Sequence, residues 1–235
     1  MECIYWQFAV TAAPNSIKRP ESAFMRLSEK TIELNYCSQF QGRVLTLVHW
    51  FGLTQVQEAR AGFDIAASLG GRLFLFQFKA SDYVLKSGAR RFYFQHHQLV
   101  ALQNRVRAHQ RSVFYVLPRI GTTQEFGANP NLMAGSFLLD VARIPPLPPP
   151  TKRSGALRRS ALHYADVLGN TATIHSDSVE IELVTTEELI SAQFRGSDGL
   201  PGPRQSFDSF WEYWRFTETM PQHSFCAAIS PQGRP

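Results

Sequence analysis

Apolar positions along the chain change their period several times, and each change marks an element. From Ser28, "SEKTIELNYCSQF" places Ile32, Tyr36 and Phe40 four residues apart, which predicts a helix capped by Ser28. Glu29 and Glu33 share another face of that helix. "GRVLTLVHWFGL" is apolar and partly β-branched, a strand or a buried connection. "VQEARAGFDIAASL" and "RLFLFQFKAS" read as two strands about Gly70-Gly71, a two-residue hairpin turn. "FYFQHHQLVALQNRVRAHQ" carries Leu99, Leu102 and Val106 at helical spacing, and "SVFYVLPRIG" predicts a strand closed by Pro118. "CIYWQFAV" near the start and "TIHSDSVEIELV" further on each predict one more strand. Helix, strands, helix, strand is the order of an α/β protein with a central mixed sheet flanked by helices.

Composition changes at residues 143–157, "RIPPLPPPTKRSGAL", where five prolines forbid regular structure and four basic residues follow within "KRSGALRR". This segment is expected to link a core over 1–142 to a C-terminal extension or subdomain over 158–235. Hydrophobic residues at 44% and charged residues at 18% exclude a solvated disordered chain. The net charge of +5 leans mildly towards a polyanionic partner. Three widely spaced cysteines, Cys3, Cys37 and Cys226, form neither a zinc pattern nor a disulfide framework, and a reducing cytoplasm is expected. No apolar run is long enough to cross a membrane and no signal peptide is evident.

The candidate chemistry lies in the hairpin. Alternation puts Leu73, Leu75, Gln77 and Lys79 on one face and Phe74, Phe76 and Phe78 on the other. With Gly70-Gly71 central to the turn, Asp64 falls opposite Gln77 and points to the same side. An amide and an ammonium on so apolar a strand are costly to bury without a task. Magnesium favours hard oxygen ligands: Asp64 offers a carboxylate and Gln77 an amide oxygen. Lys79 is no ligand while protonated, but it suits a place beside an attacking water or a phosphate. A third acid is expected from Glu58, at the start of the same strand region, or from Glu33, reaching in from the first helix.

"GFD" at 62–64, then "QFK" at 77–79 on a hydrophobic strand, resembles the PD-(D/E)xK nuclease superfamily. The match runs through the order of elements over roughly residues 28–120. The resemblance implies a restriction-endonuclease-like core and a metal-dependent nuclease, most simply a DNA endonuclease using Mg²⁺, with Mn²⁺ as a substitute. It implies Asp64 and Gln77 as metal ligands, Lys79 as the catalytic lysine, Glu33 as the acid of the first helix, and Glu58 as the upstream Glu of some branches. A small stand-alone enzyme, as in phage defence, fits this size. Two departures stand: no proline precedes Asp64, and Gln77 replaces the commoner acidic residue, removing one negative charge from the site.

Lys86, Arg90 and Arg91, just past the lysine strand, are candidates to hold a nucleic-acid backbone. Gln98, or Gln95, in "QHHQ" is a candidate phosphate contact, and His96 or His97 another. Being adjacent, the two histidines cannot form a metal site on one helix face. The aromatic "SFDSFWEYWRF" reads either as core or as a docking surface for a second copy or a partner protein, which would make a partner-gated nuclease. The alternative to an enzyme is a nuclease fold whose site has decayed, acting as a nucleic-acid-binding or assembly module.

Overall fold

The computed structural model describes residues 24–44, 47–69, 72–106, 112–150 and 161–194. The expected strand at "CIYWQFAV", the basic segment "KRSGALRR" and the aromatic segment "SFDSFWEYWRF" lie outside the described residues.

Helix α1 (Glu29–Arg43) starts where expected: the Ser28 hydroxyl accepts from the Thr31 N–H, satisfying one free donor of the first turn. Its Ile32, Tyr36 and Phe40 are all fully buried. They meet the phenylalanine face of the hairpin, with the Tyr36 ring 5.9 Å from Phe76 and 5.4 Å from Phe78, both edge to face.

That hairpin is β2 (Ile65–Leu69) with β3 (Arg72–Phe78), and Ile65 pairs with Phe76 and Leu69 with Arg72, the register expected from the Gly-Gly turn. Strand β1 (His49–Gly52) adds to the outside of β2. Strand β5 (Val113–Pro118), buried throughout and ended by Pro118 as expected, lies parallel to β3 with Gln77 beside Tyr115. The six-stranded mixed sheet runs β1-β2-β3-β5-β6-β10, with β6 (Ser136–Asp140) and β10 (Val184–Thr185) antiparallel. Its second face, Leu73, Leu75, Val113, Tyr115 and Leu117, shares one apolar cluster with Leu99 and Leu102 of α3 (His96–Val106).

Several elements differ from the sequence expectation. Residues 55–61 are a helix, α2 (Gln55–Ala61), not the start of a strand. A Thr54–Gln57 capping box begins it and Gly62, left-handed at φ 82°, ends it. The predicted long helix from Phe92 begins only at His96. Residues 90–95 form β4 (Arg90–Gln95), because Phe92 and Phe94 alternate inwards while Tyr93 and Gln95 face solvent. The single strand expected over "TIHSDSVEIELV" is two, β8 (Thr171–Ile174) and β9 (Val179–Glu182), joined by a turn in which Ser178 takes φ 51°. With β7 (Leu162–Leu168) these complete a second sheet in the order β4-β7-β8-β9.

The proline-rich stretch is not an open linker at its start. Ile144 and Leu147 are buried in the same cluster as Leu99, and Gln103 Nε2 donates to the Ile144 and Pro145 carbonyls at 3.0 Å each. Nor does the composition break separate two cores: β7 pairs with β4, and β10 with β6, across it. Two further helices, α4 (Thr123–Ala128) and α5 (Thr186–Phe194), complete the fold.

Candidate active site

Asp64 sits between two anchors. Gly62, two residues before it, turns the chain out of α2; a Cβ there would stand 3.0 Å from Ala101 Cβ and 3.1 Å from the Gln98 carbonyl of α3. After it, the hairpin pairing begins, with the Asp64 N–H donating to the Phe76 carbonyl at 3.0 Å. The carboxylate is therefore fixed across from Gln77, as the register requires.

Gln77 Nε2 donates to both Asp64 oxygens at 2.8 Å, and the Phe78 N–H donates to Oδ2 at 2.7 Å. The amide nitrogen also touches the Phe78 carbonyl at 3.2 Å, so three oxygens surround it. Gln77 is 1% exposed, and its own Oε1 has no hydrogen-bond partner among the described residues. Burial pushes the Asp64 carboxyl up to about 7, although the Phe78 N–H, the Lys79 charge and the Gln77 amide all pull it down. Two further atoms matter, and of their residues Tyr115 is new while Gln98 is expected from the sequence. The Tyr115 hydroxyl, beside Gln77 on the parallel strand, is fully buried without a partner among the described residues, and burial followed by the Asp64 charge pushes its ionisation up. Gln98 Oε1, in the first turn of α3, is likewise buried and unpartnered.

Lys79 leaves the end of β3, where its N–H donates to the Val116 carbonyl. Its ammonium pairs at 3.8 Å with Glu29 at the start of α1, and it is 7% exposed. Glu29, rather than Glu33, is thus the acid of the first helix that meets the lysine. Glu33 accepts from Lys30 at 2.6 Å. Lys30 is raised first by that bond, and the charges of Glu33, Glu58 and Asp64 all add to it. The Glu58 carboxyl is raised by burial and then by Glu33. Four carboxylates and two ammoniums, Glu29, Glu33, Glu58, Asp64, Lys30 and Lys79, therefore share one electrostatic neighbourhood with an acidic balance. Glu58 reaches it from α2, not from a strand. Among the described residues, no three Asp, Glu, His or Cys side chains are gathered closely enough to hold a metal ion by themselves.

The candidate nucleic-acid contacts divide. Lys86 is exposed in a turn. Arg90 is turned inwards, with Nη2 at 2.6 Å from Glu125 and Nη1 donating to the Ser81 carbonyl at 2.7 Å. Arg91 grips Asp166 with two bonds, of 2.6 and 2.7 Å, and lies 4.3 Å from the Tyr164 ring centre. Both arginines close contacts within the protein, a fate that residue type alone did not reveal. His96 faces His163 at 3.0 Å instead of the site.

No protein-family model matches the chain, and no curated protein matches it. The mixed α/β class and the two sheets stand on the structure; the nuclease resemblance rests on the sequence motif. Among the described residues, no helix is long and apolar enough to cross a membrane.

Proposed function

We propose that the chain is a metal-dependent phosphodiesterase of the PD-(D/E)xK kind, acting on nucleic acid and most simply on DNA. The observation that carries this reading is the bonding of Gln77 to Asp64 at 2.8 Å, with the Lys79 ammonium close enough to act on the same carboxylate.

The donor set fits a hard divalent cation. Mg²⁺ is commonly held by one or two protein oxygens and keeps several waters, so a third acid is not required. Asp64 and the orphaned Gln77 Oε1 would hold it. Turning the Gln77 amide over would exchange its nitrogen for its oxygen among the three oxygens that now surround the nitrogen. When bound, such an ion supplies an acidified water and neutralises charge on the scissile phosphate.

The chain's own groups have separate tasks. Asp64, fixed by the Phe78 N–H, sets the position of the site. Lys79, held by Glu29, keeps a positive charge where a phosphate oxygen would gain negative charge. Glu33 and Glu58 keep the surroundings acidic, which favours a cation. Released from Glu29, Lys79 can also pass a proton to or from water.

The test is incubation of supercoiled plasmid, single-stranded DNA and RNA with Mg²⁺ or Mn²⁺. Cleavage is expected from the parent protein, with a loss of roughly 10²–10⁴-fold in Lys79→Ala. Binding without cleavage under every metal would instead favour the decayed module, a reading that the capping of both Asp64 oxygens by Gln77 already motivates. Neither binding nor cleavage would sink both.

A further inference from the structure

A cleft of about 380 Å³ opens where the two sheets meet, beyond the ends of β5 and β7. Val84, Phe137 and Leu168 give it accessible apolar surface, while Phe92 and Leu117 of its lining are buried. Its charged lining is Arg90, Arg119 and Glu125, a balance of +1. Arg90 and Glu125 neutralise each other at 2.6 Å. Arg119 differs: it is exposed, its guanidinium lies 5.8 Å from the Phe137 ring centre, and it has no carboxylate partner among the described residues. The cleft therefore pairs an aromatic, apolar surface with one unneutralised guanidinium, whose fork suits a phosphate. Its size falls within the span of about 300–1,000 Å³ typical of small-molecule sites.

The cleft also adjoins the candidate active site. Arg90, one of its walls, bonds the Ser81 carbonyl, two residues past Lys79 and so at most roughly 7 Å along the chain. Pro118, another wall, lies two residues past Val116, whose carbonyl accepts from the Lys79 N–H.

We propose that this cleft seats one nucleotide of the substrate, its base against Phe137 and Leu168 and its phosphate on Arg119. This rests on the nuclease reading, yet it is measured without cleavage. Adenosine 5′-monophosphate, adenosine and inorganic phosphate are titrated separately into the full chain by calorimetry. The monophosphate is expected to bind at least tenfold more tightly than either fragment. Arg119→Ala should weaken the monophosphate at least tenfold while leaving adenosine unchanged, and Phe137→Leu should weaken monophosphate and adenosine together. Monophosphate binding no tighter than inorganic phosphate, or unaffected by Arg119→Ala in a protein with parental melting behaviour, overturns the proposal. Nucleotide binding without any cleavage leaves the cleft standing and removes the nuclease. Cleavage with no nucleotide binding does the reverse.

Discussion

Gln77 shows how much one side chain can settle. Its amide is buried beside a carboxylate, so one of its two polar ends must bond Asp64, and the other is left bare. A bare buried acceptor costs about 1–3 kcal/mol, which gives the amide a reason to change partners when a cation arrives. Asp64 carries the matching instability. Its carboxyl ionises near 7 in the folded protein against 3.8 when unperturbed, so the folded state holds a proton that the unfolded chain has released. The resulting stability is complete below about pH 4 and is lost as pH climbs towards 7, at most roughly 4 kcal/mol by the size of the shift. Asp64→Asn cannot ionise. Thermal melts from pH 5 to 8 should therefore show the variant gaining on the parent as pH rises; a constant difference would refute the burial argument. The signal for Asp64 and Gln77 was in the sequence because strand alternation and a two-residue turn fix which residues oppose each other. Glu29 was harder to find as the partner of Lys79, since Lys79 lies past the last paired residue, where alternation no longer dictates direction.

At the level of elements, local signals were readable and remote ones were not. Helix α1 follows from one cap and three residues four apart. Strand β4 did not stand out, because "RRFYFQ" runs into α3 without a breaker and its partner β7 lies some seventy positions away. Arg90 was obscure for the same reason: Glu125 and Ser81 become its neighbours only once the fold has formed. Gly121 marks how tightly that corner is drawn. A Cβ there would fall on the Ser81 carbonyl oxygen and on Arg90 Nη1, atoms that cannot both give way. Gly121→Ala should lose about 1–3 kcal/mol in urea denaturation. Gly127, inside α4 with nothing within 4 Å of its added Cβ, is the contrast: Gly127→Ala should be neutral or gain a few tenths of a kcal/mol up to about 1. Equal effects at both positions would show that the corner is loose.

For the molecule as a whole, the composition break at 143 misled about organisation. Proline content reports what a segment cannot form, not what it packs against, and Ile144 and Leu147 pack into the core from within it. Sheet completion crosses the break twice, at β4–β7 and at β6–β10. A fragment ending at residue 142 would leave Phe92 and Phe94 without the strand that covers their sheet edge, and β6 without β10, its outer neighbour. It should show no cooperative thermal transition by circular dichroism, whereas the full chain should show one. A sharp transition in the fragment would restore the two-part organisation expected from sequence.

Strand β9 closes the four-stranded sheet and, among the described residues, has no further strand beside it; its outward residues are Glu180 and Glu182. Two molecules meeting edge to edge in antiparallel fashion would bring four like charges together, which repel. Salt screens such repulsion, so pairing through this rim is a hazard of concentrated salt and not of dilute buffer.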